Sequence, residues 1–136
     1  MANLIIIIGL PGSGKTTLAN ELKEEGYEIY DDFITHFYDG KAIQDIKNNK
    51  KVCLNDPRLC SYEIFQRQMN TILKFITKDK IKLILFENNP EKSLINATGR
   101  KDERQGIKET IEHYSKIYDI YKYMDYNHVI LLVEIW

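Results

Sequence analysis

The chain has 136 residues and a mass of 16.0 kDa, the size of one domain, with no room for a second that has its own core. At 43% apolar and 29% charged residues it has enough apolar side chains to pack a core, which excludes a disordered chain. Nineteen Lys and Arg stand against twenty Asp and Glu, a net charge of -1, so the overall field does not draw the molecule onto nucleic acid or an anionic membrane. Any anionic ligand has to be gripped locally.

Residues 1–3 carry no basic lead or cleavage site of a signal peptide, and no apolar run approaches the roughly 18 residues that cross a bilayer. Cys53 and Cys60 are too few for a disulfide framework and lack zinc-site spacing. The expected setting is the cytoplasm, with no membrane partner. The first element is the apolar run Leu4–Ile8, nearly all β-branched and closed by Gly9, the pattern of a strand covered on both faces. Leu18 and Leu22 recur four apart within residues 16–25, and Gly26 supplies a stop, which predicts the first helix. A brief strand follows over residues 27–30, ending at Asp31 and Asp32.

Residues 33–47 give a weak helical pattern, and residues 51–54 a short third strand that runs into Asn55, Asp56 and Pro57. Tyr62, Phe65, Met69, Ile72, Leu73 and Ile76 fall on one face at steps of three and four, the stripe of a long amphipathic helix. Ile81–Phe86 makes a fourth strand. Ile107, Ile111, Tyr114, Tyr118 and Tyr121 form another helical stripe, and residues 129–133 a fifth, buried strand. Strands alternating with helices from end to end predict a single α/β domain, residues 1–136, with right-handed crossovers and a parallel sheet between helical layers.

Between the first strand and the first helix lie Gly9, Leu10, Pro11, Gly12, Ser13, Gly14, Lys15 and Thr16, followed by Thr17. Two glycines five apart followed by Lys and Thr satisfy the P-loop, or Walker A, pattern. Its four fixed residues arise by chance in a chain of this length on the order of once in two hundred sequences, and the strand before and helix after make coincidence rarer. Glycines let the backbone close into a nest of inward N–H groups, and the helix start adds the positive end of its dipole. Lys15 then reaches the terminal phosphates and the Thr16 hydroxyl ligates Mg²⁺. Gly9, Gly12, Ser13, Gly14, Lys15, Thr16 and Thr17 are therefore the expected contacts for a nucleoside triphosphate.

This run, the acidic pair Asp31 and Asp32, and the later basic segment together resemble the P-loop kinases of the nucleoside and nucleotide kinase type. The resemblance implies a three-layer fold with five parallel strands in the order 2-3-1-4-5, and a lid over residues 97–107. Only four of the nineteen basic residues are arginines, at Arg58, Arg67, Arg100 and Arg104, and two fall in that segment. A planar, permanently charged fork holds two phosphoryl oxygens as charge spreads over them, so Arg100 and Arg104 are expected to act as the lid closes. A solvated charged loop is the other reading of that segment.

Asp31 and Asp32 leave the second strand at the carboxyl edge, where open α/β sheets bind ligands. A carboxylate there receives the proton of an acceptor hydroxyl, as the resembling kinases imply; a helix N-cap before Phe33 is the alternative. Asp56 is the candidate Mg²⁺ carboxylate, and Arg58 beside it resembles the acidic-plus-Arg pair of deoxynucleoside kinases, with Pro57 inserted between. A turn or N-cap explains Asp56 equally, and Glu87 after the fourth strand competes for the metal. His36, His113 and His128 show no ligand spacing, Cys53 is expected to pack as a small hydrophobe, and Phe33 and Phe37 are expected in the core.

The sequence thus leads to an ATP- and Mg²⁺-dependent phosphotransferase acting on a small nucleoside-like or nucleotide acceptor. Two further readings stay open. One is a polynucleotide 5′-hydroxyl kinase, using a stripe that includes Lys47, Lys50 and Lys51; net charge does not favour nucleic acid as the partner. The other is a nucleotide-hydrolysing regulatory module without an acceptor. The oligomeric state is not legible in the sequence.

Overall fold

The computed structural model of the chain describes residues 3–36, 40–99 and 106–135. Strand β1, Leu4–Ile8, is at most 6% exposed at every position, because it runs through the middle of the sheet with helices on both faces. Its neighbours are β3, Val52–Asn55, on one side and β4, Ile81–Phe86, on the other. Strand β2, Glu28–Asp31, lies outside β3, and β5, Asn127–Leu131, outside β4, so the order is β2-β3-β1-β4-β5 with every pair parallel. This is the α/β architecture and strand order that the alternating pattern and the resemblance imply.

Alternation along β1 divides the core in two. Ile5 and Ile7 face helix α1, Lys15–Glu24, and pack with Ala19, Leu22, Cys53, Ile84 and Phe86. Leu4, Ile6 and Ile8 face the larger cluster with Phe33, Phe65, Met69, Ile72 and Ile111. Helix α1 stops at Gly26, whose φ of 98° is the left-handed C-terminal conformation that glycine enters without strain. The weak helical stretch resolves into α2, Phe33–His36, and α3, Lys41–Lys47, the latter entered through Gly40 at φ 74°; Phe37 lies outside the described residues.

Helix α4, Tyr62–Ile72, starts at Ser61, whose hydroxyl accepts from the Ile64 amide, and ends four residues short of Ile76. Helices α5, Pro90–Gly99, and α6, Ile107–Ile117, complete the layers. Two expectations are corrected. The tyrosine stripe leaves the helix: Tyr118 is the extended residue that closes α6, and Tyr121, 75% exposed in a following 3-10 turn, is not in the core. Buried Tyr123 takes that role, its hydroxyl donating to the Leu59 carbonyl at 2.6 Å. The fifth strand begins two residues earlier than expected and is largely exposed, because it is the sheet edge. Among the described residues no helix is long and apolar enough to cross a membrane.

Candidate nucleotide-binding site

In a parallel sheet every strand leaves at the same edge, so the segments after β1, β2, β3 and β4 converge there. After β1 the chain folds into a tight turn in which the Ser13 amide donates to the Leu10 carbonyl at 3.1 Å. Gly12 at φ 83° and Gly14 at φ 114° supply left-handed steps that side chains resist. Gly12 is needed for space as well: a Cβ there would stand 2.2 Å from the Ser93 carbonyl oxygen of α5. Gly14 is the N-cap of α1 and has no side chain, so the amides of the first turn have no side-chain cap and stay available to an anion.

Lys15 is 8% exposed, and its ammonium donates to the carbonyls of Gly9 and Leu10 at 2.8 Å each, which holds the charge against the inside of the loop. The Ser13 hydroxyl oxygen is buried with no hydrogen-bond partner among the described residues, whereas Thr16 and Thr17 are exposed. Beneath the loop sits Cys60, whose thiol burial pushes up to about 12, against the opposing influence of the Lys15 charge and a hydrogen bond with the Gly9 backbone. It is a neutral packing group.

The loop is braced from α5 and from the exit of β5. Asn96, 3% exposed, donates through Nδ2 to the Gly12 carbonyl at 3.0 Å and to the Glu134 carbonyl at 2.6 Å. Glu87 is part of the same brace: its Oε1 accepts from the Val133 amide at 3.0 Å and from Asn89 Nδ2 at 3.4 Å. Between α1 and β5 opens a cleft of about 480 Å³, continuous with the cradle through Ser13, Gly14 and Thr17. Leu18, Glu21, Phe86, Ile130, Leu132 and Glu134 form much of the rest of its wall. Sequence reasoning missed these residues. Leu18 and Glu21 stood one turn beyond the motif on the same helix, but the opposite wall depends on β5 being an edge.

At the ends of β2 and β3 the geometry is made by side chains. Asp31 is exposed and accepts from Asn55 Nδ2 at 3.0 Å; Asp32 is exposed with φ 48°, a left-handed turn that Asp tolerates better than most residues. Asp56 is fully buried. Its Oδ1 accepts from Arg58 N and Nε, both at 2.9 Å, and its Oδ2 from Arg58 Nη2 at 2.7 Å and the Ile34 amide at 3.2 Å. A carboxylate offers about four lone-pair positions, and all four are taken. Asp56 therefore caps the 3-10 turn Pro57–Cys60, ties down α2 and fixes Arg58, and the hydrogen bonds and charge of Asp56 raise the pKa of the Arg58 guanidinium above its ordinary value.

Arg100 and Arg104 lie outside the described residues; the described ends of the proposed lid are the last turn of α5 and Gly106, at φ 80°, before α6. Lys47, Lys50 and Lys51 precede the start of β3, at the sheet edge opposite the cradle. Each has a protein partner: Lys47 lies 4.4 Å from the Phe75 ring centroid, Lys50 is 3.5 Å from Asp45, and Lys51 donates to the Glu25 carbonyl at 3.4 Å. Asp45, 7% exposed, also accepts from the Tyr30 hydroxyl. That bond, chiefly, holds its carboxyl below the ordinary 3.8, with Lys50 and Lys41 assisting and burial opposing.

A family profile described as an AAA domain matches residues 4–136, nearly the whole chain. A mimivirus protein, "Uncharacterized protein R277" of Acanthamoeba polyphaga mimivirus, is 45% identical over 132 residues, covering 96% of each chain. With the glycine-built cradle, the strand order and this match, the chain belongs to the AAA domain family and is a P-loop NTPase-type domain with a nucleotide-binding loop.

Proposed function

We propose that the domain transfers the γ-phosphoryl group of ATP to a hydroxyl of a small nucleoside-like or nucleotide acceptor. The observation that carries this reading is the placement of Asp31 and Asp32 at the carboxyl end of β2, on the sheet edge that bears the P-loop and exposed to an incoming ligand. A hydrolysing site needs to place a water; an open carboxylate pair two strands away suits a larger hydroxyl-bearing molecule.

In this reading the amides of residues 12–16 hold the phosphate chain, and Lys15 exchanges its carbonyl partners for the terminal phosphate oxygens. The exposed Thr16 hydroxyl would hold Mg²⁺, which when bound neutralises charge on the β- and γ-phosphates. The residues present fit such an ion, since Thr16 is exposed at the edge where a buried acceptor atom, Asn55 Oδ1, has no donor among the described residues. Asp31 or Asp32 takes the acceptor proton as the hydroxyl attacks phosphorus and the bond to the bridging oxygen of ADP breaks. Arg100 and Arg104 would stabilise the charge spreading over the transferred group and exclude water on closing. The cleft between α1 and β5 receives the base and sugar.

ATP consumption measured against nucleosides, nucleotides and 5′-hydroxyl oligonucleotides tests this. Turnover that requires one of the first two classes is expected, and Arg100→Ala or Arg104→Ala should lower it far more than they lower ATP affinity. Membership of the AAA domain family favours a second reading, a nucleotide-hydrolysing regulatory module; turnover indifferent to every acceptor selects it. The lysines at the opposite edge count against a polynucleotide acceptor, for which salt-sensitive oligonucleotide binding is the check.

A further inference from the structure

An amide carbonyl is buried without a donor at the carboxyl end of β3. Asn55 is 7% exposed, and its Nδ2 donates to Asp31 Oδ1 at 3.0 Å. A carboxylate only accepts, so this bond fixes which way the amide lies. Asn55 Oδ1 is thereby turned away from Asp31, and among the described residues it meets no donor. Leaving a buried acceptor of this kind unpaired is costly, and such an atom is a place for a ligand.

The register says which ligand. Asn55 pairs with Ile7 of β1 and with Asp31 of β2. Side chains alternate along a strand, and Cys53 packs with Ile5, Ile7, Ala19 and Leu22 on the α1 side of the sheet. Asn55, two residues on, shares that side, and Asp56 turns to the other, where Arg58 and the Ile34 amide saturate it. Helix α1, which carries the exposed Thr16 in its first turn, packs on the side that Asn55 faces.

Resting on the nucleotide reading of the P-loop, we propose that Asn55 Oδ1, with Asp31 as its charged neighbour, supports the divalent cation of the bound nucleotide, and that Asp56 does not. Mg²⁺ gives up its waters reluctantly, and a metal-bound water is a strong donor in search of an acceptor. Asn55 Oδ1 is an acceptor in search of a donor. A neutral amide in this place makes the support weaker than a carboxylate would.

The test is ATP affinity by calorimetry in Mg²⁺ and in EDTA, for wild type, Asn55→Ala, Asn55→Asp and Asp56→Asn, each checked for folding by its melting curve. Removing an outer partner of a metal typically costs 10–100-fold in metal affinity. Asn55→Ala is therefore expected to reduce the Mg²⁺/EDTA affinity ratio about tenfold with the EDTA value unchanged. Asn55→Asp, which keeps the shape of the side chain and serves if the alanine variant does not fold, should raise the ratio by about fivefold. Asp56→Asn should leave it within about twofold. Unchanged ratios in both Asn55 variants, or a ratio lost only in Asp56→Asn, overturn the proposal. Absence of ATP binding to wild type in either buffer overturns the P-loop reading itself, and this inference with it.

Discussion

The cradle after β1 and the edge formed by β2 and β3 face the same ligand space but are built from different materials. The cradle is main chain: glycines at left-handed φ, a carbonyl of α5 against Gly12, and amides at the start of α1. The neighbouring edge is side chain: Asp31 with Asn55 and Asp56 with Arg58. A backbone site depends on steric room and is indifferent to mild acid, whereas a side-chain site depends on charge and shape. The difference teaches which perturbation each half should feel.

The largest effect is expected from Gly12→Ala. Left-handed backbone costs a side chain roughly 1–2 kcal/mol, and pushing the Ser93 carbonyl away adds an overpacking penalty of about 1–3 kcal/mol. A loss of about 3–4 kcal/mol in chemical denaturation is expected, together with weakened ATP binding; a variant as stable as wild type breaks the account of a sterically defined cradle. Next comes Lys15→Ala, expected to lower ATP affinity by at least about 100-fold, roughly 3 kcal/mol, in calorimetry. Unchanged affinity would mean that main chain alone holds the phosphates.

On the other side, Asp56→Ala removes the carboxylate that fixes Arg58 and leaves the Ile34 amide without its acceptor. Breaking a fully buried pair costs about 3–5 kcal/mol. Arg58 is 36% exposed and finds water, so about 2–3 kcal/mol is expected, a fall in Tm of roughly 10 °C by calorimetric scan. A fall of only a degree or two would make Asp56 dispensable as a tether.

The smallest effect sharpens the contrast through pH. The Asp45 carboxyl is held below its ordinary 3.8 by the Tyr30 hydroxyl, so its contribution is complete above that value and is lost as pH falls below it through the folded pKa. Tyr30→Phe should therefore destabilise by about 1–2 kcal/mol at neutral pH, and the gap to wild type should begin to narrow as pH falls through the ordinary aspartate value and close only once Asp45 is protonated in the folded wild type as well. Urea titrations across that range provide the measurement, and a gap independent of pH would show that the bond is not what depresses Asp45.

Much of this molecule was legible because it is local. The run Leu4–Ile8 reads as a buried strand from five consecutive apolar residues, and the P-loop reads from glycines whose backbone freedom no other residue offers. Ile81–Phe86 has the expected bounds, while β3 lies one residue later than its apolar pattern. The alternation that runs through β3 sets Asn55 on the α1 side with Cys53, and Asp56 turns to the other.

The sequence by itself determined the five strands in chain order, the phosphate cradle and the presence of carboxylates at the sheet's carboxyl edge, since each follows from periodicity or from residues adjacent in the chain. Only the tertiary structure decided that Asp56 is spent on Arg58, that Asn96 ties Gly12 to Glu134 across 84 and 38 residues of chain, and that β5 forms an exposed wall of the cleft. Those outcomes depend on which lone pairs, amides and strand faces meet across long separations. A hydrogen bond between distant residues leaves no period in the sequence, because its partners are chosen by the packing that brings them together.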